Sequence, residues 1–150
     1  MTRRRKRKIK ETSSISAKEI ALHCVAIADD KKAEDILVLD IRKITFLADY
    51  FVICTGFNSR QLQTIADEIS KTMKDAGVHP VGAAGYNEAM WILLDYGEVV
   101  VHLFDAEARA MYKLEDLWSS AKRVRWRAVL AKRKQASGPP SGTDNESACL

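Results

Sequence analysis

Thr55-Gly56-Phe57-Asn58-Ser59-Arg60 leaves a run of strand formers and opens a helical pattern. In an α/β chain this is the place where backbone N–H groups can hold a phosphate. Nucleotidyl transfer from such a Gly-Ser turn also needs two carboxylates two residues apart on a strand, converging on metal ions that bridge one phosphate. The nearest approach is Asp95 and Glu98, three apart across a turn, and no D-x-D or E-x-D lies in that segment. Ser59, Arg60 and Asp95 thus make an incomplete phosphate site, and a helix N-cap is the stronger reading of Asn58-Ser59. His23, His79 and His102 have no ligand spacing with the cysteines, and neither a P-loop nor a G-x-S-x-G elbow is present. Neither catalysis nor a metal or cofactor is expected.

Recognition is better supplied. Trp91 to Phe104 reads W-I-L-L-D-Y-G-E-V-V-V-H-L-F, two apolar runs around Asp95-Tyr96-Gly97-Glu98. That is a β-hairpin pattern with glycine in the second central turn position. A two-residue loop at Tyr96-Gly97 would pair Asp95 with Glu98, Leu93 with Val100 and Trp91 with His102. Alternation then puts Ile92, Leu94, Val99, Val101 and Leu103 on one apolar core face. The other face holds Trp91, Leu93, Asp95, Glu98, Val100, His102 and Phe104. Aromatic anchors beside polar groups are the composition of binding hot spots. Trp91, Asp95, Glu98, Val100, His102 and Phe104 are therefore the candidate partner-binding residues. The competing reading is that a helix simply covers Trp91 and Phe104.

Charge is divided by position. Residues 1–10 hold seven basic groups and no acid, and residues 122–134 hold seven more (Lys122, Arg123, Arg125, Arg127, Lys132, Arg133, Lys134), again with no acid. The body, 11–121, has ten basic against eighteen acidic residues, a formal charge of −8, so the overall +4 and pI near 9.0 describe neither part. An acidic body repels a phosphate backbone and suits a basic protein partner. The basic ends are read either as disordered, solvated charge or as contacts to nearby nucleic acid. Trp126 within the second block either stacks on a base or belongs to a partly amphipathic helical extension.

The elements that must position these groups fit one domain in 150 residues, of which roughly 110 have globular composition. Residues 135–148 lack the apolar content to offset chain entropy. No apolar run is long enough to span a membrane, the first ten residues lack the apolar segment of a secretory signal, and Cys149 is misplaced for prenylation. Cys24 and Cys54 are expected as reduced structural thiols of a cytosolic protein.

Ser16-Ala-Lys-Glu19 is a capping box before Ile20, Ala21, Cys24, Val25 and Ala28. Ile36–Ile41 and Tyr50–Thr55 read as strands. Leu62, Ile65, Ala66, Ile69 and Met73 mark a helix closed by Gly77, and Val78–Val81 reads as a short strand or link. A loop at Gly82 and Gly85 precedes the hairpin. Asp105 caps a last helix with Ala108, Met111, Tyr112 and Leu114 along one side, followed by Leu117 and Trp118. The order αββαβββα gives a layered α/β domain with a mixed sheet flanked by helices. Expected boundaries are a basic disordered tail at 1–14, the domain at 15–120, and a basic then low-complexity tail at 121–150.

D-I-L-V-L-D-I (35–41), A-D-Y-F-V-I-C-T-G (48–56), S-R-Q (59–61), A-D-E-I (66–69), A-G-V-H-P-V-G (76–82), the hairpin (91–104) and R-A-M-Y-K-L-E-D-L-W (109–118) together resemble the Iojap family, also called ribosomal silencing factors. The resemblance covers residues 16 to 120. Ala84-Gly85 stands where the family usually reads Glu-Gly, which removes any loop carboxylate there.

The resemblance implies an α/β fold similar to nucleotidyltransferases but without their catalytic acids. It implies docking on the large ribosomal subunit through ribosomal protein fourteen, which obstructs joining of the small subunit and lowers translation under nutrient limitation. Organellar members are linked to large-subunit assembly. The expected location is the cytoplasm of a bacterium, or an organelle in a eukaryotic host. Tyr112, Glu115 and Trp118 are read as support or a secondary contact, and the basic blocks 1–10 and 122–134 as non-specific contacts to ribosomal RNA around the docking site. A homodimer, and a nucleotide-binding alternative around Ser59, Arg60 and Asp95, stay open.

Overall fold

The Ser16 hydroxyl accepts the Glu19 N–H at 3.2 Å and opens α1 (Ala17–Asp30), whose Ile20, Ala21, Cys24, Val25 and Ala28 are buried along one side. The structure is a computed structural model describing residues 15–137. The basic block 1–10 and the low-complexity end from 138 lie outside the described residues. Strands β1 (Glu34–Asp40) and β2 (Tyr50–Gly56) lead to α2 (Ser59–Asp75). Asn58 rather than Ser59 caps α2, accepting the Gln61 N–H at 2.8 Å, and Gly77 at φ +80° ends its last turn. There follow β3 (Gly82–Ala84), β4 (Trp91–Asp95), β5 (Val99–Asp105), α3 (Ala106–Tyr112), α4 (Leu114–Leu117), β6 (Lys122–Arg123) and α5 (Trp126–Ser137).

The strands form one sheet in the order β3-β4-β5-β2-β1-β6. Among the described residues only β2 and β5 pair in parallel, joined by a crossover that carries α2, and the remaining pairs are antiparallel. β2 is buried along its whole length, as a central strand covered on both faces must be. On one face, Val38, Val52, Cys54, Ile92, Leu94, Val99, Val101 and Leu103 meet α1 and α2 in the larger core. On the other, Leu39, Phe51, Ile53 and Phe104 meet Ala108 and Leu114 in a smaller one. Cys24 and Cys54 are free and buried; burial pushes the Cys54 thiol up to about 12 and the Cys24 thiol higher still. No helix among the described residues is long and apolar enough to cross a membrane.

Three expectations need correction. Of the two readings of 78–81 the link is the correct one, and the short strand lies at Gly82–Ala84, where a loop was expected; Pro80 has no N–H, and the Val81 N–H bonds the Asp95 carbonyl at 2.7 Å just ahead of it. The hairpin register pairs Trp91 with Phe104, Leu93 with His102 and Asp95 with Val100. Glu98 leaves the ladder because its carbonyl accepts the N–H groups of Asp49 and Tyr50 at 2.7 and 3.0 Å, while Gly97 turns the chain at φ +87°. The shift is even, so both faces keep their residues. Finally, the domain does not stop at 120. β6 pairs with β1, Val124 N–H donates to the Val38 carbonyl at 2.8 Å, and Trp126 is buried in the larger core with its Nε1–H on the Ile36 carbonyl at 3.2 Å. A base cannot stack on a ring so placed; the amphipathic-helix reading of this segment is the correct one.

Candidate functional site

The mixed face of the hairpin is a chain of rings. Trp91 on β4 lies 4.8 Å from Tyr112, 5.0 Å from Phe104 and 5.9 Å from His102, centroid to centroid. His102 continues to Phe51 at 4.8 Å, and Phe51 to Trp118 at 5.2 Å, both edge to face. The Trp91 Nε1–H donates to His102 Nδ1 at 3.2 Å. An indole nitrogen only donates, so Nδ1 is the acceptor and the imidazole proton sits on Nε2, which has no partner among the described residues. Burial pulls the His102 pKa down to about 4, so the ring is neutral at physiological pH.

What covers this face decides which of its residues can meet a partner. The short helices α3 and α4 lie over it, and Phe104 is 0% and His102 5% exposed. The expectation that Phe104 and His102 are direct contact residues is therefore corrected, and the competing reading that a helix covers the face holds for Phe104, which packs with Ala108 and Leu114 and beside Tyr112, while His102 lies among Phe51, Trp91 and Phe104. Trp91, Asp95, Glu98 and Val100 remain partly exposed. Tyr112, read as support, is 50% exposed against the Trp91 ring. Met111 at 71% and Leu117 at 75% point outward from the same helical layer, although the sequence pattern had turned them inward. Met111 lies away from the buried side of α3, which is Ala108 and Arg109, and Lys113 at φ +45° then breaks the helix and restarts it with Leu114 as the buried residue of α4.

Arg109 was missed by the sequence reading. Its Nε lies 3.1 Å from both carboxylate oxygens of Glu115, and its Nη1 donates to Thr55 Oγ1 at 2.7 Å. This link crosses the break at Lys113 and pins both short helices to β2. Breaking a buried ion pair costs about 3–5 kcal/mol, and the partial exposure of Glu115 puts this one at the lower end. Arginine and glutamate six residues apart are not neighbours on a continuous helix, which is why pattern alone did not pair them.

The acidic residues at the hairpin tip have separate duties. The Asp95 carboxylate accepts the Gly97 N–H at 2.8 Å and holds the turn. Glu98 is half-buried beside it. Ser59 and Arg60 are elsewhere: they follow Gly56, which pairs with Asp105 at one end of β5, whereas Asp95 pairs with Val100 toward the other. Five residues of strand separate the ends by roughly 17 Å, so the phosphate-site triad is not brought together. No group of metal-ligating side chains occurs among the described residues.

By class the molecule is a layered α/β domain with a mixed six-stranded sheet, one of whose faces is aromatic and thinly covered beside an acidic turn. Comparison with known proteins gives the family. Residues 14–148 match the family model described as "Ribosomal silencing factor during starvation", and the chain belongs to that family. It is 39% identical to the ribosomal silencing factor RsfS of Halalkalibacterium halodurans over 78% of this chain and 100% of that one. It is 44% identical to RsfS of Bacillus subtilis over 71% of this chain and 91% of that one. It is also 36% identical to the chloroplastic protein Iojap of Zea mays, over 67% of this chain but 44% of the longer plant protein. A crystal structure of a Chromobacterium violaceum protein superposes with a TM-score of 0.68 at 34% identity, covering 70% of this chain and 88% of that one.

Proposed function

We propose that this protein silences translation by docking on the large ribosomal subunit through ribosomal protein fourteen and excluding the small subunit by its bulk. The observation that carries the reading is the ring pair of partly exposed Trp91 and half-exposed Tyr112, with exposed Met111 and Leu117 in the adjoining helical layer. Aromatic anchors of this kind dominate binding energy when a partner desolvates them. Asp95 and Glu98 at the hairpin tip, on a body of formal charge −8, complement a basic ribosomal protein. The mechanism is steric and needs no chemical step. A domain of this size seated on the intersubunit face occupies space the other subunit requires, and one copy suffices.

The test is sedimentation. Purified full chain mixed with large subunits in a sucrose gradient is expected to travel with them, and on addition of small subunits the joined-ribosome peak should fall in proportion to the protein added. Protein that stays at the top of the gradient, or joins the large subunit without reducing the joined peak, contradicts the proposal.

A further inference from the structure

The basic block 122–134 is a folded edge of the sheet. Val124 and Trp126 are its anchors, bonded to the Val38 and Ile36 carbonyls. Those two turn inward, whereas Arg123 at the end of β6 and Arg125 in the turn before α5 are exposed. Arg127 follows, its guanidinium 4.5 Å over the Trp126 ring. The three arginines line a groove of about 620 Å³ against the outer edge of β1, and Asp35 is the one carboxylate in its lining. Part of the block's charge is used internally: Arg133 pairs with Glu19 across α1, and Arg127 lies 3.7 Å from Asp29. Arg123 and Arg125 have no acidic partner among the described residues.

We propose that this β6–α5 edge is a second contact surface, one that binds the phosphate backbone of RNA. Guanidinium forks bind phosphate oxygens in bidentate fashion and hold their charge at any physiological pH. A pinned row of them beside a single acid matches a repeating anion better than an acidic protein surface with irregular charge. The edge also lies on the correct side. Asp95, Val100, Phe51, Leu39 and Arg123 are successive register partners in one row across the sheet, so Arg123 projects from the same face as Trp91. Four strand spacings put it about 19 Å from β4, close enough to meet RNA around a partner gripped by the aromatic face. That the RNA is ribosomal rests on the proposed docking; the RNA contact itself does not.

Fluorescence anisotropy with a labelled 20-base-pair RNA duplex, read across a potassium chloride series, tests it on the full chain. Arg123→Gln with Arg125→Gln removes two phosphate contacts while Arg127 keeps its place on Trp126. At roughly 0.7–0.9 per contact, the log–log salt slope should flatten by about 1.4–1.8, and affinity at low salt should fall at least tenfold. Arg123→Lys with Arg125→Lys keeps the charge and should keep the slope. Affinity and slope unchanged in the glutamine pair overturn the proposal. Weakened binding of that pair to isolated ribosomal protein fourteen also overturns it, because the arginines would then belong to the protein interface. Failure of the docking proposal leaves the duplex result standing, so the two are separable.

Discussion

Val99, Val101 and Leu103 of β5 face α1 and α2; Val100, His102 and Phe104, interleaved with them, face α3 and α4. The first set is sealed under helices of 14 and 17 residues, the second under helices of 7 and 4. The difference in cover separates stability from recognition. A long amphipathic helix excludes water along a whole strand, so its face can only be core. Two short helices broken at Lys113 leave a rim made of partly exposed Trp91 on β4 and of Tyr112, Met111 and Leu117, which stand exposed on the helices themselves. The rim stays in place because Phe104, His102 and the Arg109–Glu115–Thr55 link lie beneath it.

The largest effect should come from truncating one residue on each face. Ile69→Ala, in the sealed core, should lower unfolding free energy by about 2–5 kcal/mol in urea titration and leave the affinity of the folded fraction for large subunits unchanged. Tyr112→Ala should do the reverse, with stability within about 1 kcal/mol of the parent and binding weakened by about 2 kcal/mol. Equal stability losses would show that the two faces are not different in kind.

An intermediate effect is expected from pH. The folded-state pKa of His102 is pulled by burial from 6.5 to about 4, so between these values the unfolded chain takes up a proton that the folded chain refuses. Stability is therefore at its full value above pH 6.5 and falls as pH drops toward 4, by roughly 3 kcal/mol for this group. Urea midpoints measured from pH 7 to pH 4 should decline less steeply in His102→Gln than in the parent. Parallel declines would mean that the smaller core admits water to His102.

The smallest effect concerns the hairpin tip. Asp95→Asn with Glu98→Gln should slow association with large subunits at low salt and leave the rate nearly unchanged at high salt, since rim charges steer encounter more than they hold a complex. An association rate equal to the parent's across the salt series would reduce both residues to turn chemistry.

The sealed face was legible because period-two alternation on the hairpin and helical spacing in α1 and α2 point to one core. The hairpin faces were also legible, and they survived a wrong register because the shift was even. The burial of Phe104 was legible only as the competing reading that a helix covers it, since it depends on short helices whose break is set by a left-handed lysine rather than by glycine or proline. The β6–α5 edge was masked by its own charge. Seven basic residues drew the reading toward a tail, while Val124, Trp126, Val129 and Leu130, which dock the segment, are few and interrupted. Where a side chain serves as an anchor inside a charged run, composition hides it and only periodicity betrays it.

The central claim, that the thinly covered face is the docking surface, is tested most directly by titrating isolated ribosomal protein fourteen with the parent, Trp91→Glu and Tyr112→Glu in a calorimeter, with circular dichroism on each. Tyr112→Glu is the decisive variant because that ring is half exposed. The account predicts saturable one-to-one binding by the parent and at least a thirtyfold loss, about 2 kcal/mol, in both variants, with the Tyr112→Glu spectrum unchanged. Parent-like affinity in a folded Tyr112→Glu protein would contradict it.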